Sequence, residues 1–323
     1  MRVNDFLSIV LLMAVFFQIF ALFALMAVGY TLARFGVVEQ GAVKGMSALI
    51  VKATLPALIV MSMQKPFSGE LFGEAMVTLA VATLFYAGII GLSLAAAALL
   101  RVDRQRAGAF AFALSFSNCA FVGFPVVESI LGADALFLTS IHNILFNVLA
   151  FSAGILIMSG GSRTGGGSAG GGGGVSLAKL FNINVIAAIA GFVLFLFSVK
   201  IPEILAIPMR MIGGLTTPLA MVVTGAMLAR TPIRSVVGDW RLYAVSALRL
   251  LVWPAITAVV LRLFGVSGQL YAITVIVAAM PSASNTSMIA EVYGGDTGTA
   301  SSVVFLTTLF SVVTIPLLAI LLV

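Results

Sequence analysis

The chain is predicted to be an all-α membrane protein, with ten transmembrane helices in a 5+5 inverted repeat, and three observations lead there. Of its 323 residues 61% are apolar and 9% charged, with a mean hydropathy of +1.20, whereas roughly 25% of a soluble domain is charged. Apolar stretches recur along the whole chain; at about 20 to 35 residues for a span and its loop, there is room for about ten spans and no soluble domain. Finally, the two halves echo each other at a shift of 162 residues: Pro56 in TLPALIV falls on Pro218 in TTPLAMV, and Gly132-Ala133-Asp134 falls on Gly294-Gly295-Asp296. Five spans per half is an odd number, so the second copy enters the membrane from the opposite side.

Phe6 to Ala33 is almost wholly apolar and about twice as long as the core of a signal peptide, so it reads as the first span. The spans are expected near 6–34, 42–64, 72–100, 107–131, 134–158, 177–200, 204–229, 239–264, 269–292 and 297–322. Residues 1–159 form the first repeat, 160–176 a Gly-rich linker and 177–323 the second repeat. The linker, GGSRTGGGSAGGGGG from Gly160 to Gly174, is a flexible coil that packs against nothing. No Gly-Lys-Ser/Thr follows it, so it is not a phosphate loop; a natural connector and an engineered one read alike. Loops after odd-numbered spans hold Arg34, Lys44, Arg101, Arg104, Arg106, Arg163, Lys179, Arg230, Arg234 and Arg241, against Arg2, Lys65, Lys200, Arg210 and Arg262 on the other side. This bias puts the linker in the cytoplasm and both termini outside.

The organising stretch is SFSNCAFVGFPVVESILG, Ser115 to Gly132. Pro125 has no N–H and clashes with the preceding turn, and Gly123 loosens the backbone beside it, so the fourth span is expected to break there. The ninth has its own break at Met280-Pro281-Ser282-Ala283-Ser284-Asn285. Irregular backbone at membrane depth is tolerated only against protein or a water-filled cavity. A half-helix starting near Pro125 would aim unpaired N–H groups into that cavity, suiting an anion.

The polar residues at depth divide by chemistry. Asn118 and Asn285 sit beside the breaks and are candidate substrate contacts, with glue between helices as the competing role. Ser117, Ser282 and Ser284 are weaker candidates, because serines also relieve broken backbone. Arg249 lies too deep to snorkel; it either bonds free carbonyls near a break or attracts an anion, while Lys52 either snorkels inward or adds to the attraction. Glu128 and His142 are candidate proton carriers. Ser140, Asn143 and Asn147 follow helical spacing as a seam facing the fourth span, and Glu291 and Asp296 read as solvated loop charges. The lone Cys119 excludes an internal disulfide and a thiolate metal cage. No nucleotide, HExxH or CxxC motif stands in a supporting context, so no enzyme, metal or cofactor is expected.

Asn118 with Pro125 seven residues on, in NCAFVGFP, together with AMPSASNTSMIAEVYGGD at Ala279 to Asp296 and RLLVWP from Arg249 to Pro254, resembles the auxin efflux carrier family. The resemblance covers nearly the whole chain; Lys52 before Pro56 and Glu128 after Pro125 depart from the family pattern. It implies crossing broken helices four and nine, a scaffold from spans one, two, six and seven that often forms a homodimer, and a moving domain from the other spans. Substrate is implied at the crossing, with Asn118 and Asn285 as matching contacts, in a bacterial inner-membrane carrier of small organic acids. The function expected is secondary transport of a mono- or dicarboxylate, with H+ or Na+ as coupling ion. A sodium-coupled symporter of the bile-acid type and a non-transporting membrane sensor are the alternatives.

Overall fold

A computed structural model describes residues 3–159, 182–230 and 238–322. The linker at 160–176, the start of the sixth expected span, and Arg2, Arg163, Lys179 and Arg234 lie outside the described residues. Regular structure in the described residues is helical, apart from an antiparallel bridge between Ser117 and Ser282. The order is α1 (Val3–Arg34); α2 (Gln40–Leu49) and α3 (Leu55–Ser62); α4 (Gly69–Leu99); α5 (Arg104–Ser115) and α6 (Phe124–Leu131); and α7 (Leu136–Ala150) and α8 (Ala153–Met158). After the linker come α9 (Ile183–Leu196); α10 (Glu203–Gly214) and α11 (Thr216–Leu228); α12 (Trp240–Ala247) and α13 (Trp253–Leu263); α14 (Gly268–Ala279) and α15 (Thr286–Tyr293); and α16 (Thr297–Leu322). Seven helical stretches in the described residues are long and apolar enough to cross a membrane, and Cys119–Leu131, Ile183–Leu196 and Gly268–Ala279 are shorter apolar helices.

Three prolines are accommodated by one device. Pro56, Pro125 and Pro254 each stand second in a helix that follows a π-turn, at Ile50–Thr54, Cys119–Gly123 and Leu248–Val252. A proline ring collides with the carbonyl four residues back, and a turn wider by one residue moves that carbonyl aside. Accordingly Leu55 N bonds Ile50 O, Phe124 N bonds Cys119 O and Trp253 N bonds Leu248 O, each five residues back. The expected break at Pro125 is therefore corrected: helical backbone runs through Gly123 and Pro125, and the interruption lies earlier, at Phe116 to Asn118. Gly123 has an ordinary helical φ of −63° and room for a Cβ at ordinary contact distances, so it loosens nothing. Gly132 and Gly294, matched in the sequence, both take a positive φ, of 81° and 79°, and end α6 and α15.

The tightest helix pair is α1 with α11. A Cβ on Gly29 would stand 2.0 Å from Val222 O, and one on Gly225 would stand 1.8 Å from Met26 O. The two backbones touch, as small residues allow between membrane helices. Elsewhere large apolar side chains face outward, among them Leu84, Leu99, Ile204, Met211 and Leu263, a surface that lipid covers. In contrast, α5 is buried from Gly108 to Ser115, so its surroundings are protein.

At one end of the bundle a charged knot ties α5, α12 and α16 together. Arg106 pairs with Asp239 and its Nε donates to Thr299 Oγ1 at 3.0 Å. Arg241 Nε donates to Leu100 O at 3.1 Å, and Asp239 caps α12 by accepting from Arg241 N at 3.0 Å. Burial alone would raise the Asp239 carboxyl. The Arg106 hydrogen bond, the Arg241 N–H and both arginine charges outweigh it and hold the group below its ordinary value.

Candidate functional site

The two interruptions pair with each other. Asn118 N donates to Pro281 O at 2.7 Å and Ala283 N donates to Phe116 O at 3.0 Å, on either side of the Ser117–Ser282 bridge. Each extended segment thus satisfies the other's backbone where no helix does. Ser282 extends the pairing: its Oγ donates to Ala113 O at 2.9 Å and its N–H to Thr307 Oγ1 at 3.1 Å. Asn118 spans both breaks. Its Oδ1 caps the helix that follows, accepting from Phe121 N at 3.1 Å, and its Nδ2 donates to Ser284 Oγ at 2.6 Å. Asn285, by contrast, is half-buried and its side chain does not cap α15, so it does not mirror Asn118.

Arg249 is fully buried and holds the other side of the pairing. Its Nε donates to Met280 O at 3.0 Å, its Nη1 to Leu114 O at 2.9 Å and its Nη2 to Val277 O at 3.4 Å; Trp253 Nε1 reaches Leu114 O as well, at 3.2 Å. These carbonyls close α5 and α14, where helix dipoles leave partial negative charge. Of the two roles expected for Arg249, the geometry displays the bonding of free carbonyls. Positive charge is thereby spent on the carboxyl-terminal ends of α5 and α14, while the N–H groups of Cys119 and Thr286 that open the following helices are bonded locally, to Ser117 O at 2.9 Å and Ala283 O at 3.0 Å.

A cavity of about 780 Å³ reaches this region. Its inner wall includes Ser284 with Ser287 and Met288 of the first turn of α15, facing Thr224, Met227, Ser301, Phe305 and Thr308. Its outer part carries Gln40, Lys44 and Arg230, and Glu291 also lines it. Glu291 therefore borders the cavity rather than a loop, while Asp296 accepts from Thr299 N at the start of α16. Hydroxyls dominate the polar lining, and two cations face one acid.

The remaining expected residues lie apart from this cavity. Glu128 Oε2 accepts from Thr217 Oγ1 at 2.8 Å, across from α6 to α11. Lys52 is exposed within its π-turn. His142 is buried within α7 between the rings of Phe85 and Tyr86, at 5.6 and 5.4 Å. Of the polar seam on α7, Asn147 meets the start of α9: Asn182 Nδ2 donates to its Oδ1 at 2.9 Å. Ser140 instead lies 3.3 Å from Ser62. Sequence reasoning missed Tyr86, Thr217 and the cavity-lining Lys44 and Arg230; for the last two, the signal was present in the excess of cations on one side.

The model of a family described as membrane transport protein matches residues 14–165 and 173–319. An uncharacterized transporter of Methanothermobacter thermautotrophicus is 24% identical over 308 residues, covering 93% of this chain and 95% of that one. A protein of Rhizobium meliloti named as a candidate malonate transporter is 24% identical over 295 residues, covering 91% of each. With broken helices paired beneath a polar cavity, and a family match over most of its length, the chain belongs to the membrane transport protein family of the auxin efflux carrier type.

Proposed function

We propose that the protein is a secondary transporter that moves a small organic anion, a mono- or dicarboxylate, by alternating access at the paired breaks. The observation that carries the reading is the cavity ending on Ser284, the residue hydrogen-bonded to Asn118. A carboxylate there meets hydroxyls and the start of α15, with Lys44 and Arg230 at the approach to draw it in. The Rhizobium meliloti relative is named for malonate, a short dicarboxylate of suitable size for such a cavity. In this reading the ten spans form a 5+5 inverted repeat whose fourth and ninth members cross at the breaks. Asn118, Ser282, Ser284 and Asn285 frame the anion, Pro281 and Pro125 shape the backbone around it, and Arg249 positions both breaks.

Spans one, two, six and seven would be the scaffold, and a homodimer contact, with the other spans moving against it. The contacts opposite the cavity fit a closed outer gate: Lys65 with Asp134 at 2.7 Å, Thr217 with Glu128, Ser62 with Ser140, and the packed rings of Phe67, Phe137 and Phe195. Lys44 and Arg230 lie on the cation-rich side, so the cavity is open to the cytoplasm and both termini are outside, in a bacterial inner membrane. The test is counterflow of a panel of labelled carboxylates in proteoliposomes. Asn118→Ala and Ser284→Ala are expected to lower flux at least tenfold while the protein stays folded in the membrane; undiminished flux in both would refute the site.

A further inference from the structure

The moving helices contain a second polar cluster that the anion site does not use. Tyr86 on α4 and His142 on α7 are both buried, 0% and 1% exposed, with ring centroids 5.4 Å apart. Both nitrogens of His142 find no hydrogen-bond partner, and the Tyr86 hydroxyl has only the weak thiol of Cys119 beside it. A neutral imidazole carries one donor and one acceptor, so three polar positions stand together in an apolar interior. A buried polar atom left unpaired is costly, and such clusters in proteins hold water or serve a proton. Phe85 sits against His142 from α4, and Tyr86 stacks on Phe116, the first residue of the fourth span's break, at 6.4 Å, with Phe146 edge-on to Phe116. The cluster therefore touches a side chain of the break without lining the cavity.

We propose that Tyr86 and His142 form a proton site, in which a buried water bridges the phenol to the imidazole and His142 carries one proton in each transport cycle. This rests on the transport reading above and names its coupling ion. The imidazole accepts H+ at its bare nitrogen on the side where the anion loads and returns the same proton to water where the anion leaves. No other bond changes. Other titratable groups on the elements packed against α7 are engaged or distant in the sequence: Glu128 is bonded to Thr217, Asp134 to Lys65, Glu70 and Glu74 lie in the first two turns of α4, and Tyr271 lies in the first turn of α14. Cys119 and Arg249 are the groups whose fields reach Tyr86 from the breaks. Arg249 is held by carbonyls, which leaves the imidazole as the group free to change charge.

Proteoliposomes with the membrane potential clamped at zero provide the test, using malonate as the probe anion. At zero potential, with one proton moved per anion, a gradient of one pH unit sustains about tenfold accumulation of the ionic form that is carried. His142→Gln is expected to abolish that accumulation, and Tyr86→Phe to shift the pH of half-maximal flux while preserving ring packing. Accumulation by the wild type that ignores a proton gradient, or that follows a sodium gradient instead, overturns the proposal and leaves the transport reading intact. A full proton response in His142→Gln, or an unchanged pH profile in Tyr86→Phe, overturns it equally, because the anion would then be crossing as its own acid. Absence of flux for malonate and every other carboxylate overturns the transport reading and this inference with it.

Discussion

Replacing Arg249 by methionine removes the guanidinium while keeping an unbranched side chain in the same space. Three carbonyls, Leu114, Met280 and Val277, then lose a donor, two of them bonded within 3.0 Å and the third at 3.4 Å. Hydrogen bonds to a charged group are worth about 1.5–3 kcal/mol each, so the two short ones alone amount to roughly 3–6 kcal/mol. Those values are already net of taking the charged group out of water. The Trp253 indole still reaches Leu114 O, which softens the loss at one end. The net expectation is a loss of about 3 kcal/mol, and at about 2–4 °C per kcal/mol the melting temperature in detergent should fall by roughly 6–12 °C. Arg249→Lys should fall between methionine and wild type, because one ammonium does not span three carbonyls in the way a planar fork does. Flux should drop in both. A melting temperature within about 2 °C of wild type for Arg249→Met, with transport retained, would refute the claim that this side chain holds the two breaks together.

Asp239 is held below its ordinary carboxyl value in the fold, so its contribution is present above the unfolded value of about 3.9 and is lost as pH falls through the folded one. Melting temperature should therefore decline on acidification below about pH 4 more steeply in the wild type than in Asp239→Asn. Equal slopes would dismiss the Arg106 pairing as a source of stability. Gly225→Leu drives a side chain into the backbone of α1 and should cost at least about 1–3 kcal/mol, seen as loss of a monodisperse peak in size-exclusion chromatography; a normal profile contradicts the α1–α11 contact. Asp134→Ala breaks an exposed ion pair with Lys65, 87% exposed on the acid side, worth about 0–1 kcal/mol. Its flux should shift by less than about fivefold, and a complete loss would mean that the gate depends on that pair far more than its exposure allows.

How much could be read in advance depended on whether a residue acts through its own backbone or through a partner distant in the chain. Met280 to Asn285 announced its break because Pro281 and three small polar residues coincide there. Pro125 misled: a proline within apolar sequence reads as an interruption, whereas a π-turn at Cys119–Gly123 absorbs it, and no periodicity over five residues reveals such a turn. The true break at Phe116 to Asn118 carries no proline at all and exists because Pro281 and Ala283 pair with it. Likewise the seam of Asn143 and Asn147 was legible as polar, but its partner Asn182 lies 35 residues beyond Asn147. Arg249 was recognisable as a cation too deep to reach water, and only the convergence of α5 and α14 tells which carbonyls it serves.

The most direct test of the anion site is the reactivity of Ser284→Cys, placed in a Cys119→Ala background and reconstituted in vesicles. A water-soluble thiol reagent should modify it from the side of Lys44 and Arg230, and a transported carboxylate should slow that modification. A thiol that does not react from that side, or reacts at the same rate at every carboxylate concentration, would contradict the account.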